Sequence, residues 1–147
     1  MNALEEDGKE ELIEISKRAL EKIGERLGID YAIIFGSAVR GTVTAESDVD
    51  FGVKFKEIGK SKDLLKKIAG IKDAVEEKLK RDVDIVIMNG ASLGLCYEIF
   101  SEGEAVFISN EERFFEEKIK VVKLYLDFKY YLERHWEEKM ERVLYGE

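Results

Sequence analysis

Apolar residues recur at three- and four-residue steps through Leu12, Ile15, Ala19, Ile23 and Leu27, and Gly28 follows directly. That spacing predicts an amphipathic helix ended by a glycine cap. The period then shortens. Residues 31–35 and 49–55 are apolar runs of strand length and predict two β-strands. Helical spacing returns with Leu64, Leu65, Ile68, Val75 and Leu79, a helix that Gly70 weakens slightly, before a third strand at 83–88. A short helix around 92–101, Gly103 and a fourth strand at 105–108 come next. Asn110, with Glu111 and Glu112 behind it, is an N-cap with a favourably charged first turn, and the last helix runs to about Leu144. The sum is a small mixed β-sheet flanked by helices, of α+β (α/β-like) class. It forms a single domain over 1–147, with a core at about 10–109 and a C-terminal helix at about 110–145. Proline is absent, so glycines must make most of the sharp turns.

The last helix is longer than a small domain requires. It also carries more than half of the aromatic residues: Phe114, Phe115, Tyr125, Phe128, Tyr130, Tyr131, Trp136 and Tyr145. Phe115, Ile119, Val122 and Leu126 make one stripe, expected to face the sheet. Tyr125, Phe128, Leu132, Trp136, Met140 and Val143 make a second, offset stripe. A protein partner would cover the second, with Tyr130 and Trp136 as anchors; the alternative is one broad core-facing surface.

Candidate chemistry is concentrated in one segment. After the apolar run Ile33-Ile34-Phe35 come Gly36-Ser37, ten further residues, and then Asp48-Val49-Asp50 opening the second strand. Alternation puts Asp48 and Asp50 on one face, with Val49, Phe51, Val53 and Phe55 on the other. Two carboxylates on one side of a half-buried strand repel each other unless a divalent cation lies between them. Gly36 permits an unusual backbone angle and close approach of a phosphate. The amides that follow, at a helix start, present donors to anionic oxygens, and the Ser37 hydroxyl adds another. Ser47 is expected to support the turn, without a catalytic role.

Gly-Ser, ten residues, then Asp-x-Asp resembles the pattern of the DNA polymerase β-like nucleotidyltransferase superfamily. The compact length is similar to its minimal branch, the MNT-domain proteins, and the segment from Tyr125 to Arg134 resembles their C-terminal helix. The resemblance covers roughly residues 10 to 145. It implies Mg²⁺-dependent attack on the α-phosphorus of a nucleoside triphosphate, with two Mg²⁺ ions held by Asp48, Asp50 and a third carboxylate on a later strand. Val83-Asp84-Ile85-Val86-Ile87-Met88 occupies that slot. Asp82 and Asp84 share a face by period-two reasoning; Asp84 lies inside the strand and is taken as the third carboxylate, while Asp82 belongs to the turn before it. Gly36, Ser37 and Arg40 would bind nucleotide phosphates, Arg40 being equally a surface residue. Lys54 shares the face of the Asp pair and would either touch phosphate or screen the site. The resemblance also implies an antitoxin that binds a HEPN ribonuclease toxin and transfers AMP from ATP to it, on a tyrosine hydroxyl. A binding-only antitoxin and a transferase acting on a small-molecule acceptor stand as alternatives. HEPN ribonucleases carry an Arg, four to six residues, then His; Arg134 is adjacent to His135 here, so this chain does not resemble the nuclease half.

Composition narrows the partners. A net charge of −8 argues against a nucleic-acid backbone as the partner. Charged residues make up 38% of the chain, with Lys and Glu interspersed, a pattern similar to thermophile surfaces. The first residues lack a signal-peptide pattern and no apolar run approaches membrane-spanning length, so a cytoplasmic protein is expected. The single Cys96 reads as core, and His135 as a helix-surface residue.

Overall fold

The computed structural model describes the backbone of residues 3–41 and 48–146, with side chains from residue 8 onward in those ranges. Nine elements follow in order: α1 (Ala3–Ile23), β1 (Ile29–Phe35), α2 (Ser37–Arg40), β2 (Val49–Phe55), α3 (Ser61–Leu79), β3 (Val83–Ile87), α4 (Leu93–Glu102), β4 (Glu104–Ile108) and α5 (Glu111–Tyr145). The strands form one sheet in the order β3-β2-β1-β4. β1 is antiparallel to both β2 and β4, whereas β2 and β3 run parallel across the α3 crossover. The mixed sheet expected from the hydrophobic pattern is the sheet observed.

Each face of the sheet has its own core, as strand alternation requires. Val49, Phe51, Val53 and Phe55 of β2, with Ile34 and Val83, pack against Leu20 and Ile23 of α1 and Ile71 and Val75 of α3. The opposite face offers Tyr31 and Ile33 to Ile99 and Phe100 of α4 and to Phe114 of α5. Gly52 sits beneath this second layer. A Cβ there would lie 3.0 Å from both Ile99 Cγ2 and Met88 Sδ, so the missing side chain lets α4 lie close to β2.

Two expectations need correction. α1 ends at Ile23 rather than continuing through Leu27. Gly24 lies against the Phe107 ring, where no side chain would fit, and the chain leaves the helix through looser turns up to Gly28, at φ 70°. The second correction concerns α5. Its packed line is Phe114 and Val121 in the second core and Tyr125 against Tyr97 of α4, whereas Phe115 and Ile119 are 51% and 59% exposed. The stripe expected to face the sheet is thus largely exposed, because α5 packs on α4 through the line that begins at Phe114.

Four contacts hold the first half of α5. The Asn110 side chain accepts from Arg113 N, capping the helix as expected. Arg113 Nη2 and Nε both donate to Asp30 Oδ1, at 2.6 and 3.1 Å, and Asp30 is nearly enclosed. Further along, Lys54 Nζ meets Glu117 Oε1 at 3.0 Å, and Tyr125 stacks on Tyr97 with ring centroids 3.9 Å apart. Beyond that stack, every residue from 126 to 146 is exposed. At 1.5 Å per residue the unsupported arm is about 30 Å long.

Arg113→Ala should lower the unfolding free energy by about 1–3 kcal/mol, since it strands the buried Asp30 carboxylate. Urea denaturation followed by far-UV circular dichroism measures this, and a loss no larger than that of Arg134→Ala on the free arm would contradict the anchoring role.

Candidate active site

Strand register assembles the acidic residues. Asp50 pairs with Phe35, the last residue of β1, on one side and with Asp84 of β3 on the other. Asp50 and Asp84 are therefore neighbours across a parallel ladder, and their side chains share the face opposite Val49, Phe51 and Val83. Asp48 lies two residues earlier on the same side, close enough to hydrogen-bond Asp84. Asp82 precedes the strand; its carbonyl accepts from Val49 N at 3.0 Å and its carboxylate adds to the field on Asp48.

Gly36 closes β1 beside this group. Its backbone, at φ 77° and ψ −145°, occupies a region open in practice only to glycine. A Cβ at this position would fall 2.5 Å from Asp50 Oδ2. Conformation and contact thus demand glycine independently. The turn then enters α2, where Val39 N and Arg40 N both donate to the Gly36 carbonyl at 3.1 Å, and Ala38 anchors the short helix in the core. Ser37 is half-buried at the helix start, next to the acidic group. Ser47 lies outside the described residues, as does all of 42–47.

The electrostatics follow from the crowding. The Asp48 carboxyl is held above the ordinary carboxylate range, first by Asp84, then by desolvation and by Asp82, with Lys72 opposing. Asp50 is raised as well, chiefly by burial and then by Asp84 and Asp48, while Arg40 pulls it back. Among the described residues no three His, Cys, Asp or Glu side chains converge as a finished metal cage. The donors present are hard carboxylate oxygens at an open strand end. Mg²⁺ takes such a sparse set, because it keeps waters and substrate phosphates in its shell.

The remaining candidates divide. Arg40 is exposed at the site's rim, with Nη1 3.3 Å from Glu102 Oε2 at the end of α4. Lys54 shares the face of the Asp pair but stands four residues along β2 from Asp50, about 13 Å away by strand rise, and is engaged by Glu117. In this structure its ion partner is Glu117 of α5. Beside that ion pair the Tyr31 phenol keeps its proton well above the usual range through burial and the Glu117 carboxylate. Burial likewise raises the thiol of Cys96, which packs in the second core. His135 lies on the free arm, stacked on Tyr131. Tyr130 and Trp136, 64% and 61% exposed, belong to the same arm rather than to a broad core-facing surface.

Three residues near the site escaped the sequence reading. Lys72 and Glu76 of α3 flank the acidic group, and Glu102 partners Arg40. The i,i+4 spacing of Lys72 and Glu76 was visible, but it reads equally as an ordinary surface pair.

Residues 17–112 match the family described as Polymerase beta, Nucleotidyltransferase. The chain belongs to that family. Like the rest of this family it is a nucleotidyltransferase, and its acidic strand ends lie where the Gly-Ser turn meets the sheet. It is 31% identical to Protein adenylyltransferase MntA of Thermococcus cleftensis over 93 residues, 63% of this chain and 90% of that relative. Among solved structures, a toxin–antitoxin with AMP-PNP has a TM-score of 0.63 at 18% identity, covering 84% of this chain and 98% of that one. A complex of tri-AMPylated Shewanella oneidensis HEPN toxin with MNT antitoxin gives 0.60 at 15% identity, covering 87% and 98%. At these identities the structural likeness speaks for the fold. Among the described residues, no helix is long and apolar enough to cross a membrane.

Because the folded pKa values of Asp48 and Asp50 lie above the unfolded ones, their stabilising contribution is complete below the unfolded value. It is lost as pH rises through the folded values. At neutral pH the metal-free carboxylates are therefore a net cost. Asp48→Asn with Asp50→Asn should raise the melting temperature of the metal-free protein at pH 7, and the gain should shrink as pH falls through about 4. Calorimetric melts across pH check this; a double variant that melts lower than wild type at pH 7 would contradict the repulsion.

Proposed function

We propose that the chain is the antitoxin half of a HEPN/MNT pair, and that it transfers AMP from ATP to a tyrosine hydroxyl of its HEPN ribonuclease partner in the presence of Mg²⁺. The observation that carries the reading is the Asp50–Asp84 register beside Gly36, which gathers acidic oxygens at a turn that admits no side chain. The relative called protein adenylyltransferase supports the reaction class. The names of the solved relatives, with AMP-PNP and with a tri-AMPylated toxin, support nucleotide and acceptor.

Asp48, Asp50 and Asp84 are the residues that would hold two Mg²⁺ ions. When bound, the metal polarises the α-phosphate, lowers the pKa of the attacking hydroxyl and offsets charge on the leaving group. The missing side chain of Gly36 lets the turn lie against the Asp50 carboxylate, and the Gly36-Ser37 turn with the Ser37 hydroxyl would donate to a phosphate bound beside it. Arg40 would join the triphosphate by exchanging its exposed Glu102 partner, a pair worth about 0–1 kcal/mol. Asp84 is exposed where Asp50 is half-buried, and on the edge strand it would be open to an incoming hydroxyl. The tyrosine oxygen forms a bond to the α-phosphorus as the α–β bridging bond breaks. Pyrophosphate leaves, and the hydroxyl proton passes to Asp84. The added phosphodiester places a bulky anion on the toxin, which would oppose RNA in a nuclease groove. Capture of the partner falls to the free arm of α5, whose exposed aromatic residues are an interface composition without a covering surface.

An enzyme acts below stoichiometry and leaves its product modified; an occluding protein does neither. Wild-type protein at one-twentieth of the toxin concentration, with ATP and Mg²⁺, should silence ribonuclease activity and add ~329 Da per AMP to the toxin's mass, the increment expected when pyrophosphate leaves. Asp84→Ala should bind the toxin and fail at that ratio. Equal protection by both proteins with no mass change would establish occlusion, and AMP found on a small molecule instead would move the acceptor.

Tyr130→Ala with Trp136→Ala should fold as wild type, because both rings are exposed, yet weaken toxin binding by about 2 kcal/mol or more per anchor. Titration calorimetry against the toxin measures this, and an unchanged Kd would remove these two residues from the interface.

A further inference from the structure

Glu76 holds both ends of the link between α3 and β3. Its carbonyl accepts from Lys80 N at 2.8 Å, closing α3 on a residue in the left-handed conformation (φ 57°), and its carboxylate Oε1 accepts from Val83 N at 3.0 Å. Val83 is the residue immediately before Asp84. Among the described residues β3 is an edge strand, paired with β2 alone. In this ladder Val49 N donates to the Asp82 carbonyl, so the Val83 N–H, one residue on, points away from β2 and toward the open edge. No strand lies there to receive it. Without an acceptor that donor would turn to water and the edge would be free to fray.

We propose that Glu76 is a positioning residue for the third carboxylate: by receiving the Val83 N–H it fixes the start of β3, and with it the place of Asp84 beside Asp50. The proposal rests on Asp84 serving as a metal-binding carboxylate. Four features support it. The link from Lys80 to Val83 is short, and Glu76 ties it at both ends, so movement of Val83 is coupled to α3. Glu76 is half-buried against the core rather than waving in solvent. Lys72 Nζ lies 3.9 Å from the same Oε1 and also acts on the Asp48 carboxyl, so the Glu76 side chain has a second contact that holds it near the acidic group. Finally, Asp84 sits among like charges that push it outward, so an edge strand carrying it needs an external tether. Asp50 needs none, being paired on both sides.

The discriminating comparison is Glu76→Ala, which removes the acceptor, against Glu76→Gln, whose amide oxygen retains it, with Asp84→Ala alongside. In Glu76→Ala, kcat should fall about tenfold with KM for ATP little changed. The Mg²⁺ concentration at half-maximal thermal stabilisation, measured without nucleotide, should rise about tenfold. The Val83 amide should exchange with deuterium at least tenfold faster. Glu76→Gln should restore all three readouts to near wild type. A folded Glu76→Ala with wild-type Mg²⁺ midpoint and kcat would overturn the proposal, as would a Gln variant as impaired as the Ala variant. Should Glu76→Ala fail to fold, the Val83 amide of the wild type decides: protection supports the tether, and exchange at the free-peptide rate overturns it. Full activity and an unchanged Mg²⁺ response in Asp84→Ala would instead defeat the assignment of Asp84, an outcome separate from any behaviour of Glu76.

Discussion

Asp50 is the point through which this architecture passes. It is the register partner of Phe35 and of Asp84, and its carboxylate occupies the space a side chain on Gly36 would need. One residue thus sets how closely the turn after β1 approaches the sheet and where the edge strand presents its own acid. Shifting the β2–β3 ladder by a single residue would carry Asp84 to the packed face and expose Val83 in its place. The apolar face of the sheet, where Val49, Phe51 and Val83 are fully enclosed, forbids that slip. The hydrophobic core on one side of the sheet is what holds mutually repelling carboxylates together on the other.

Repulsion of this kind costs stability, and the fold places the cost locally. The same two carboxyls whose pKa values rise lie at the start of β2, next to the edge strand β3, while the central strand β1 is buried and paired on both sides. Stability and candidate chemistry are separated along the strands: the acidic end is charged and open, and the opposite end carries Tyr31, Phe100 and Phe114 in aromatic contact.

How far the sequence could be read depended on whether a signal was local. Strand alternation around Asp48 and Asp50, the Asn110 cap and the Gly36 turn are each written in a few adjacent residues, and each was legible. Asp84 was placed inside its strand by its flanking Val83 and Ile85. The early end of α1 was not legible, because it depends on Phe107, far along the chain. Arg113 pairing with Asp30 and Lys54 pairing with Glu117 are long-range choices among many charged residues, and no pattern singles them out. For α5, two apolar stripes were visible, but the line that packs, through Phe114 and Val121, was set by long-range contacts that no local spacing reveals.

That pinning makes α5 a lever. Its fulcrum is short, running from the Arg113–Asp30 pair to the Tyr97–Tyr125 stack, and everything beyond is unsupported. Over about 30 Å of free helix, a tilt of roughly 5° at the fulcrum displaces the tip by close to 3 Å. A displacement of that size separates a hydroxyl aligned for attack from one that is not. The aim of a partner held on this arm would therefore be set less by the exposed aromatic residues than by the stiffness of two ion pairs and one ring stack at the other end of the helix.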